Sequence, residues 1–181
     1  LLSSQYDRNL TQQAQQKIAD THHELEKILL RIIASNGVLH GETASHIRRV
    51  GLLASALAEE VVTGWTLRQM EDIRMAAAIH DIGKIGIPDH ILSKPSKLTP
   101  EEFEHVKLHC EIGGQILHDT KSNLLKMARE IVLCHHEKWD GSGYPRGLSG
   151  PDIPESARIV AICDVYDALL SKRSYRPPFS E

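Results

Sequence analysis

Apolar residues recur along this chain at the three- and four-residue spacing of helices that bury one face. Near the N-terminus, Ile18, Leu25 and Ile32 lie seven residues apart, which predicts one long amphipathic helix over residues 5–33. Asn36 and Gly37 should end this helix, since both residues tolerate the left-handed backbone that closes one. The stripe fits two alternatives: packing on the helix's own domain, or the end of a coiled-coil linker.

The remaining pattern predicts a bundle of shorter helices. Thr99 and Pro100 mark one helix start, because threonine caps a helix and proline suits its first turn. We expect this helix to carry Phe103, Val106 and His109. Residues 140–154 are rich in glycine and proline, which predicts a loop. No segment shows the alternating pattern of a strand, so we expect an all-α fold. The other predicted helices cover residues 42–61, 67–80 and 124–136, with a last one from Pro154 or Glu155 to about residue 171.

These elements suggest two parts, a linker helix over residues 1–36 and one domain over residues 37–181. The formal net charge of −3 argues against a nucleic acid polymer as partner. No apolar run is long enough for a transmembrane helix. Three cysteines without paired spacing favour a reduced, cytoplasmic setting. Because the chain starts at Leu1 and stops at Glu181 without a terminal signal, we expect a piece of a longer protein, truncated at its C-terminus.

The chain contains 11 histidines, and several stand beside acids at predicted helix ends. Glu42 and His46 are four residues apart, so they share one helical face. Asp164 interrupts an apolar helix, and a buried carboxylate needs a cation. Several helices of a bundle could point such groups at one interior site. The candidate metal ligands are Glu42, His46, His80, Asp81, His109, His135, His136 and Asp164.

The same eight residues indicate which ions and substrates suit the site. Neutral imidazoles and three carboxylates carry a charge of −3, so two divalent ions leave a charge near +1 and three leave one near +3. Either value favours an anionic substrate such as a phosphodiester. Mixed nitrogen and oxygen ligation suits transition metals better than magnesium or calcium. We therefore expect two or three ions of iron or manganese, with nickel and zinc as alternatives.

Three segments resemble one protein family. His80-Asp81-Ile82-Gly83-Lys84 resembles the signature of the HD metal-dependent phosphohydrolases. Residues 135–154 (HHEKWDGSGYPRGLSGPDIP) are similar to the hallmark of the HD-GYP subfamily, and residues 164–177 to its last helix. The resemblance spans about residues 42–177. It implies an HD-type helical bundle around a site of two or three metals, which hydrolyses the bacterial second messenger cyclic di-GMP.

The resemblance also implies roles for single residues. The six candidates from His80 onward match the family's metal positions, with Asp81 as the bridging ligand. Glu42 and His46 match the additional ligands of members that hold three metals. Lys84 matches a catalytic lysine that contacts the substrate phosphate.

Three further residues are candidates to bind substrate. Arg173 and Arg176 resemble basic positions that hold phosphate oxygens. For Tyr144, in the Gly-Tyr-Pro tripeptide, two alternatives stay open: stacking on a base of the substrate, or a structural role within its own loop.

The implied function is hydrolysis of cyclic di-GMP to pGpG, GMP or both, as the output domain below an upstream receiver or sensor domain. The N-terminal helix could also pair two copies of the chain as a homodimer. One alternative is a phosphohydrolase for another cyclic dinucleotide, for pGpG or for a nucleotide. The other is a catalytically silent module that binds a cyclic dinucleotide or a protein partner.

Overall fold

The computed structural model describes residues 11–17, 20, 24, 28 and 44–170. Between residues 44 and 170 the helices are α1 (Ala44–Val61), α2 (Leu67–Ala78), α3 (Asp89–Leu92), α4 (Pro100–Lys107), α5 (His109–Ile116), α6 (Asn123–Cys134) and α7 (Glu155–Leu170). Two short 3₁₀ helices cover Ile82–Gly86 and Gly150–Asp152. No strand occurs among the described residues, and the predicted all-α fold class is confirmed.

The predicted N-terminal helix is described only in part. Residues 11–17, 20, 24 and 28 are helical and exposed to solvent. The rest of the predicted helix, together with the boundary near residue 36, lies outside the described residues. The division into a linker helix and a domain therefore stays a prediction.

Helices α1, α2, α6 and α7 enclose the main hydrophobic core. Close backbone packing joins α1 to α2, because a Cβ on Gly51 would lie 2.6 Å from the carbonyl oxygen of Arg74. Three consecutive buried alanines near the end of α2 let the neighbouring helices approach this helix closely. Large buried side chains of the core are Val50, Ile73, Ile131 and Val160.

Helix ends decide where the candidate ligands lie. Thr99 caps α4, as the sequence predicted, because its side chain accepts from the Glu102 amide. The Glu102 carboxylate accepts from the Thr99 amide in return. The helix predicted over residues 67–80 ends at Ala78 instead. The reason is a switch to tighter bonds, since the amides of Ile79 and His80 donate three residues back.

Two further boundaries differ from those predicted. The helix that starts at Thr99 was expected to carry His109, but it stops at Lys107, and His109 begins α5. The amide of Leu108 donates to the carbonyl of His105, three residues back, which breaks the α-helical ladder at that point. The helix predicted over residues 124–136 covers 123–134, with His135 as its C-terminal cap.

Helix α7 is apolar on two sides. Its inward face buries Val160 and Cys163 in the core. Its outward face leaves large apolar side chains exposed, namely Ile162, Val165, Tyr166 and Leu169. Among the described residues, no helix has the length and apolar character needed to cross a membrane.

Candidate metal centre

Five candidate ligands lie at or next to helix ends, which aim them at one region of the bundle. His80 and Asp81 come two and three residues after Ala78, the last residue of α2, and His109 opens α5. His135 and His136 follow α6. The side chains of His80, His109 and His135 are at most 1% exposed. An adjacent pair such as His80 and Asp81 can serve one site here because both residues lie beyond the helix proper.

Backbone carbonyls at these helix ends fix the orientation of three imidazole rings. The Nδ1 atom of His80 lies 2.8 Å from the Ala77 carbonyl oxygen, and that of His109 lies 2.7 Å from the Val106 carbonyl oxygen. His135 Nδ1 lies 3.0 Å from the carbonyl oxygen of Ile131. A carbonyl only accepts, so each Nδ1 carries the proton and each Nε2 presents a lone pair. All three Nε2 atoms face the candidate centre.

The first group of candidate ligands is built around Asp81, and we call it the Asp81 group. Asp81 Oδ1 lies 3.2 Å from Nε2 of His109 and 3.7 Å from Nε2 of His135. These two Nε2 atoms are 3.5 Å apart. With His136 included, one donor atom from each residue lies within 4.8 Å of the others. The Asp81 group consists of Asp81, His109, His135 and His136.

The second group, which we call the Asp164 group, comprises His46, His80 and Asp164. Asp164 Oδ1 lies 3.5 Å from His46 Nε2 and 3.9 Å from His80 Nε2. The two groups touch, because His80 Nε2 is also 3.0 Å from Asp81 Oδ2. The structure thus brings seven of the eight candidate ligands into two adjoining groups linked by the His80-Asp81 pair.

Asp167 is a residue of the centre that the sequence analysis missed. Its Oδ2 lies 2.7 Å from Nδ1 of His46, and its two oxygens also accept from the Arg49 guanidinium. A carboxylate behind a histidine fixes the ring orientation and leaves Nε2 as the inward atom. The available signal was spacing, since Asp167 is three residues after Asp164 and therefore shares its helical face.

Burial and charge set the protonation of the centre. Burial lowers the pKa of His136 to about 2, and the neighbouring His135 adds to this effect. Burial likewise lowers the pKa of His135. For Asp81, burial would raise the pKa, but the charges of Lys84 and His80 hold it well below its usual range. His135 and His136 therefore present neutral imidazoles and Asp81 an ionised carboxylate, which are the forms that bind metal ions.

A pair of glycines, Gly83 and Gly113, sets the distance between the 3₁₀ helix Ile82–Gly86 and α5. A Cβ on Gly83 would lie 1.8 Å from the carbonyl oxygen of His109 and 2.6 Å from the amide nitrogen of Gly113. The backbone of the 3₁₀ helix therefore rests directly on the backbone of α5. This contact places His109 beside Asp81, and only glycine fits at residue 83.

Residues 137–149, which we call the GYP loop, fold back over His136. Glu137 is 5% exposed, and its carboxylate accepts from the amides of Arg146 (2.8 Å) and Leu148 (3.0 Å). The ring of Tyr144 stacks on that of His136, with 4.7 Å between centroids. Tyr144 therefore contacts a candidate ligand directly. Glu137, which ties the end of the loop to its start, was missed by the sequence analysis.

Of the four remaining candidate residues, the structure describes only Lys84. Lys84 is partly exposed, and its Nζ lies 2.7 Å from Asp81 Oδ2. Glu42, Arg173 and Arg176 lie outside the described residues, so their assigned roles stay predictions.

The sequence of the chain matches a known protein family. The model of the HD domain family matches residues 27–181. The chain belongs to the HD domain family. HD domains bind divalent metal ions, and this HD domain carries a His/Asp cluster suited to that role.

Curated relatives of this HD domain include three that cover most of the chain. A cyclic di-GMP phosphodiesterase of Thermotoga maritima is 53% identical over 76% of this chain and 37% of its own length. A 3'3'-cGAMP-specific phosphodiesterase of Vibrio cholerae is 47% identical over 77% of this chain and 26% of its own length. A cyclic di-GMP phosphodiesterase response regulator of Xanthomonas campestris is 40% identical over 90% of this chain and 43% of its own length. The HD domain thus spans less than half the length of each of these relatives.

The polar atoms of the centre also need a cation. Asp81 Oδ1 is buried and receives no hydrogen bond of acceptable geometry within the described part of the chain, although His109 Nε2 lies nearby. A buried carboxylate oxygen without a donor is costly. Lone pairs of several neutral imidazoles converge on the same space. A divalent cation satisfies both requirements, so the residues present fit the metals that the family binds.

Proposed function

We propose that this HD domain is a metal-dependent phosphodiesterase that hydrolyses cyclic di-GMP to pGpG, GMP or both. The observation that carries the proposal is the meeting of the Asp81 group and the Asp164 group at His80-Asp81, where two cations could be held side by side. Two of the relatives described above are named cyclic di-GMP phosphodiesterases, which supports this substrate.

The two groups would hold one divalent ion each, and Glu42 would join His46 if a third ion binds. Asp81 belongs to the Asp81 group and also contacts His80 of the Asp164 group, so its carboxylate could serve both ions. Bound ions would supply Lewis-acid activation of water and of the phosphodiester. Iron and manganese are the proposed ions, because mixed imidazole and carboxylate ligation suits them, and nickel or zinc would also fit.

The chain's own residues orient the ligands and bind the phosphate. Helix-end carbonyls hold three imidazoles with Nε2 inward, and Asp167 does the same for His46. Lys84 is partly exposed beside Asp81, where its ammonium can contact a phosphate oxygen and neutralise charge. Arg173 and Arg176 are proposed to hold further phosphate oxygens.

The proposal extends to the whole protein in one respect. A relative named as a response regulator matches 90% of this chain, which supports an upstream receiver or sensor domain joined through the N-terminal helix. In that arrangement, residues 37–181 form the phosphodiesterase domain. Pairing of two copies through the N-terminal helix would bring two such domains together.

The test is incubation of the metal-reconstituted chain with cyclic di-GMP under anaerobic conditions, with products separated by chromatography. We expect pGpG or GMP to form, and His80→Ala to abolish the reaction because it removes the link between the two groups. The matched control is His118→Ala, which changes a surface histidine outside both groups. Intact cyclic di-GMP with a fully loaded chain would refute the proposal.

A second candidate substrate is 3'3'-cGAMP, favoured by the 47% identical relative that is named as specific for it. The same assay with both dinucleotides separates the two candidates. Turnover of 3'3'-cGAMP alone would select the second. Tight binding of either dinucleotide without turnover under any metal would instead indicate a silent binding module.

A further inference from the structure

An aromatic and cationic surface formed by α4 and the GYP loop adjoins the candidate metal centre. The rings of Phe103 and Tyr144 meet edge to face, with 6.1 Å between centroids. Lys107 Nζ lies 5.1 Å from the centre of the Phe103 ring and 5.5 Å from that of Tyr144. Tyr144 in turn stacks on His136. Phe103 and Lys107 of α4, together with Tyr144 of the GYP loop, form a surface that we name the α4 wall. Its Tyr144 ring lies directly against a proposed metal ligand.

The α4 wall faces solvent and is not part of the core. Phe103 is 44% exposed, and Lys107 and Tyr144 are partly exposed. Lys107 Nζ also pairs with Glu104 Oε1 at 2.6 Å. Both partners of this pair lie at the surface, where ion pairs contribute little, so the ammonium can exchange partners at small cost.

The position of the wall matches the layout of a nucleotide substrate. In a cyclic dinucleotide, each base is separated from a phosphodiester by one sugar. Within the α4 wall, the ring of Tyr144 lies between those of Phe103 and His136 and contacts both. The last turn of α4 is tied to the centre as well, since the Val106 carbonyl accepts from His109 Nδ1. A phosphodiester at the metals would therefore direct a base towards α4.

The chemistry of the wall selects a purine base. An exposed aromatic face offers a stacking surface that any base can use. A lysine ammonium only donates, and guanine presents two acceptors on one edge, N7 and O6. Adenine presents an amino donor in place of O6, which repels an ammonium. A stacking ring beside a lysine therefore favours guanine over adenine.

We propose that the α4 wall binds a guanine base of the substrate, with Phe103 as the stacking face and Lys107 as the donor to O6 and N7. The inference rests on the proposed function, because it assumes that a cyclic dinucleotide is the substrate. It adds two specificity residues on α4 that act on the base, whereas Lys84 and the metals act on the phosphate.

The test compares cyclic di-GMP with bis(p-nitrophenyl) phosphate, a phosphodiester that has no nucleobase. For Phe103→Ala, we expect the ratio of kcat/KM values for the two substrates to fall about tenfold, mainly through KM, because base stacking is lost. For Lys107→Met, we expect the preference for cyclic di-GMP over cyclic di-AMP to fall about tenfold. Equal losses on both phosphodiesters, or no loss on either, would overturn the proposal.

Matched controls and a binding measurement separate this inference from the proposed function. Leu67→Ala and Lys126→Met change exposed residues at the ends of α2 and α6 remote from the centre, and should leave both ratios unchanged. Binding is measured with the bis-phosphorothioate analogue of cyclic di-GMP, which resists hydrolysis.

If the wild-type chain binds the analogue without hydrolysing cyclic di-GMP, the proposed function fails. A tenfold binding loss in Phe103→Ala would then still support the wall, and unchanged binding would overturn it. If the wild-type chain neither binds nor hydrolyses, both proposals fail.

Discussion

Replacing Gly83 by alanine should dismantle the metal centre without removing a ligand. The new Cβ would lie 1.8 Å from the carbonyl oxygen of His109, whereas non-bonded heavy atoms need about 3.5 Å. The new Cβ is fixed to the backbone of residue 83, and the oxygen that it meets belongs to the backbone of α5, so no flexible side chain can yield. Helix α5 must therefore shift by roughly 1.5 Å. His109 would move with it. Metal–ligand distances tolerate only about 0.2 Å, so His109 would leave the Asp81 group.

We expect Gly83→Ala to lose metal affinity, to lose about 100-fold or more in activity, and to unfold with about 1–3 kcal/mol less free energy. The assay is metal content per chain together with thermal unfolding. Gly86→Ala is the matched control in the same 3₁₀ helix, because its Cβ would meet only the flexible side chain of Ile112. If Gly83→Ala binds as much metal and unfolds at the same temperature as Gly86→Ala, the argument from close backbone packing is wrong.

Three further outcomes follow from the geometry. Asp167→Asn should weaken metal binding about 10- to 100-fold, because His46 loses the carboxylate that orients it. Metal titration checks this. The control is Asp72→Asn, which changes a buried acid paired with Arg68 and should bind metal as the wild type does. Glu137→Gln should cost about 1–3 kcal/mol in denaturant unfolding, since a buried carboxylate accepts from two loop amides, and an unchanged midpoint would contradict that role. Burial raises the pKa of Cys110 to about 12, so its thiol stays protonated at neutral pH. The three buried cysteines should therefore react with a disulfide reagent only after the chain unfolds. Stoichiometric labelling of the folded chain at pH 8 would refute this.

The sequence predicted most of the described helices and most of the residues of the centre because both leave local marks. Apolar periodicity located the helices, and the capping pattern located the start of α4 at Thr99. The adjacent pairs His80-Asp81 and His135-His136 stood out at helix ends, and the structure places all four in the two groups.

Contacts between distant segments left no such mark. Asp167 contacts His46 across 121 residues, and only the folded bundle brings them together. The contact of Gly83 with the backbone of α5 likewise depends on how two elements pack, which periodicity does not encode. Helix boundaries shifted at Ala78 and Leu108 because bonds to the third residue back compete with α-helical ones at helix ends.

The most direct test of the central claim is a titration of the metal-free chain with Mn²⁺ or, anaerobically, Fe²⁺, following cyclic di-GMP hydrolysis against metal bound per chain. Two adjoining groups that act as one centre predict little hydrolysis after the first equivalent and a steep rise as the second binds, with His80→Ala inactive throughout. Full activity at one equivalent, or no hydrolysis at two or three, would contradict the account.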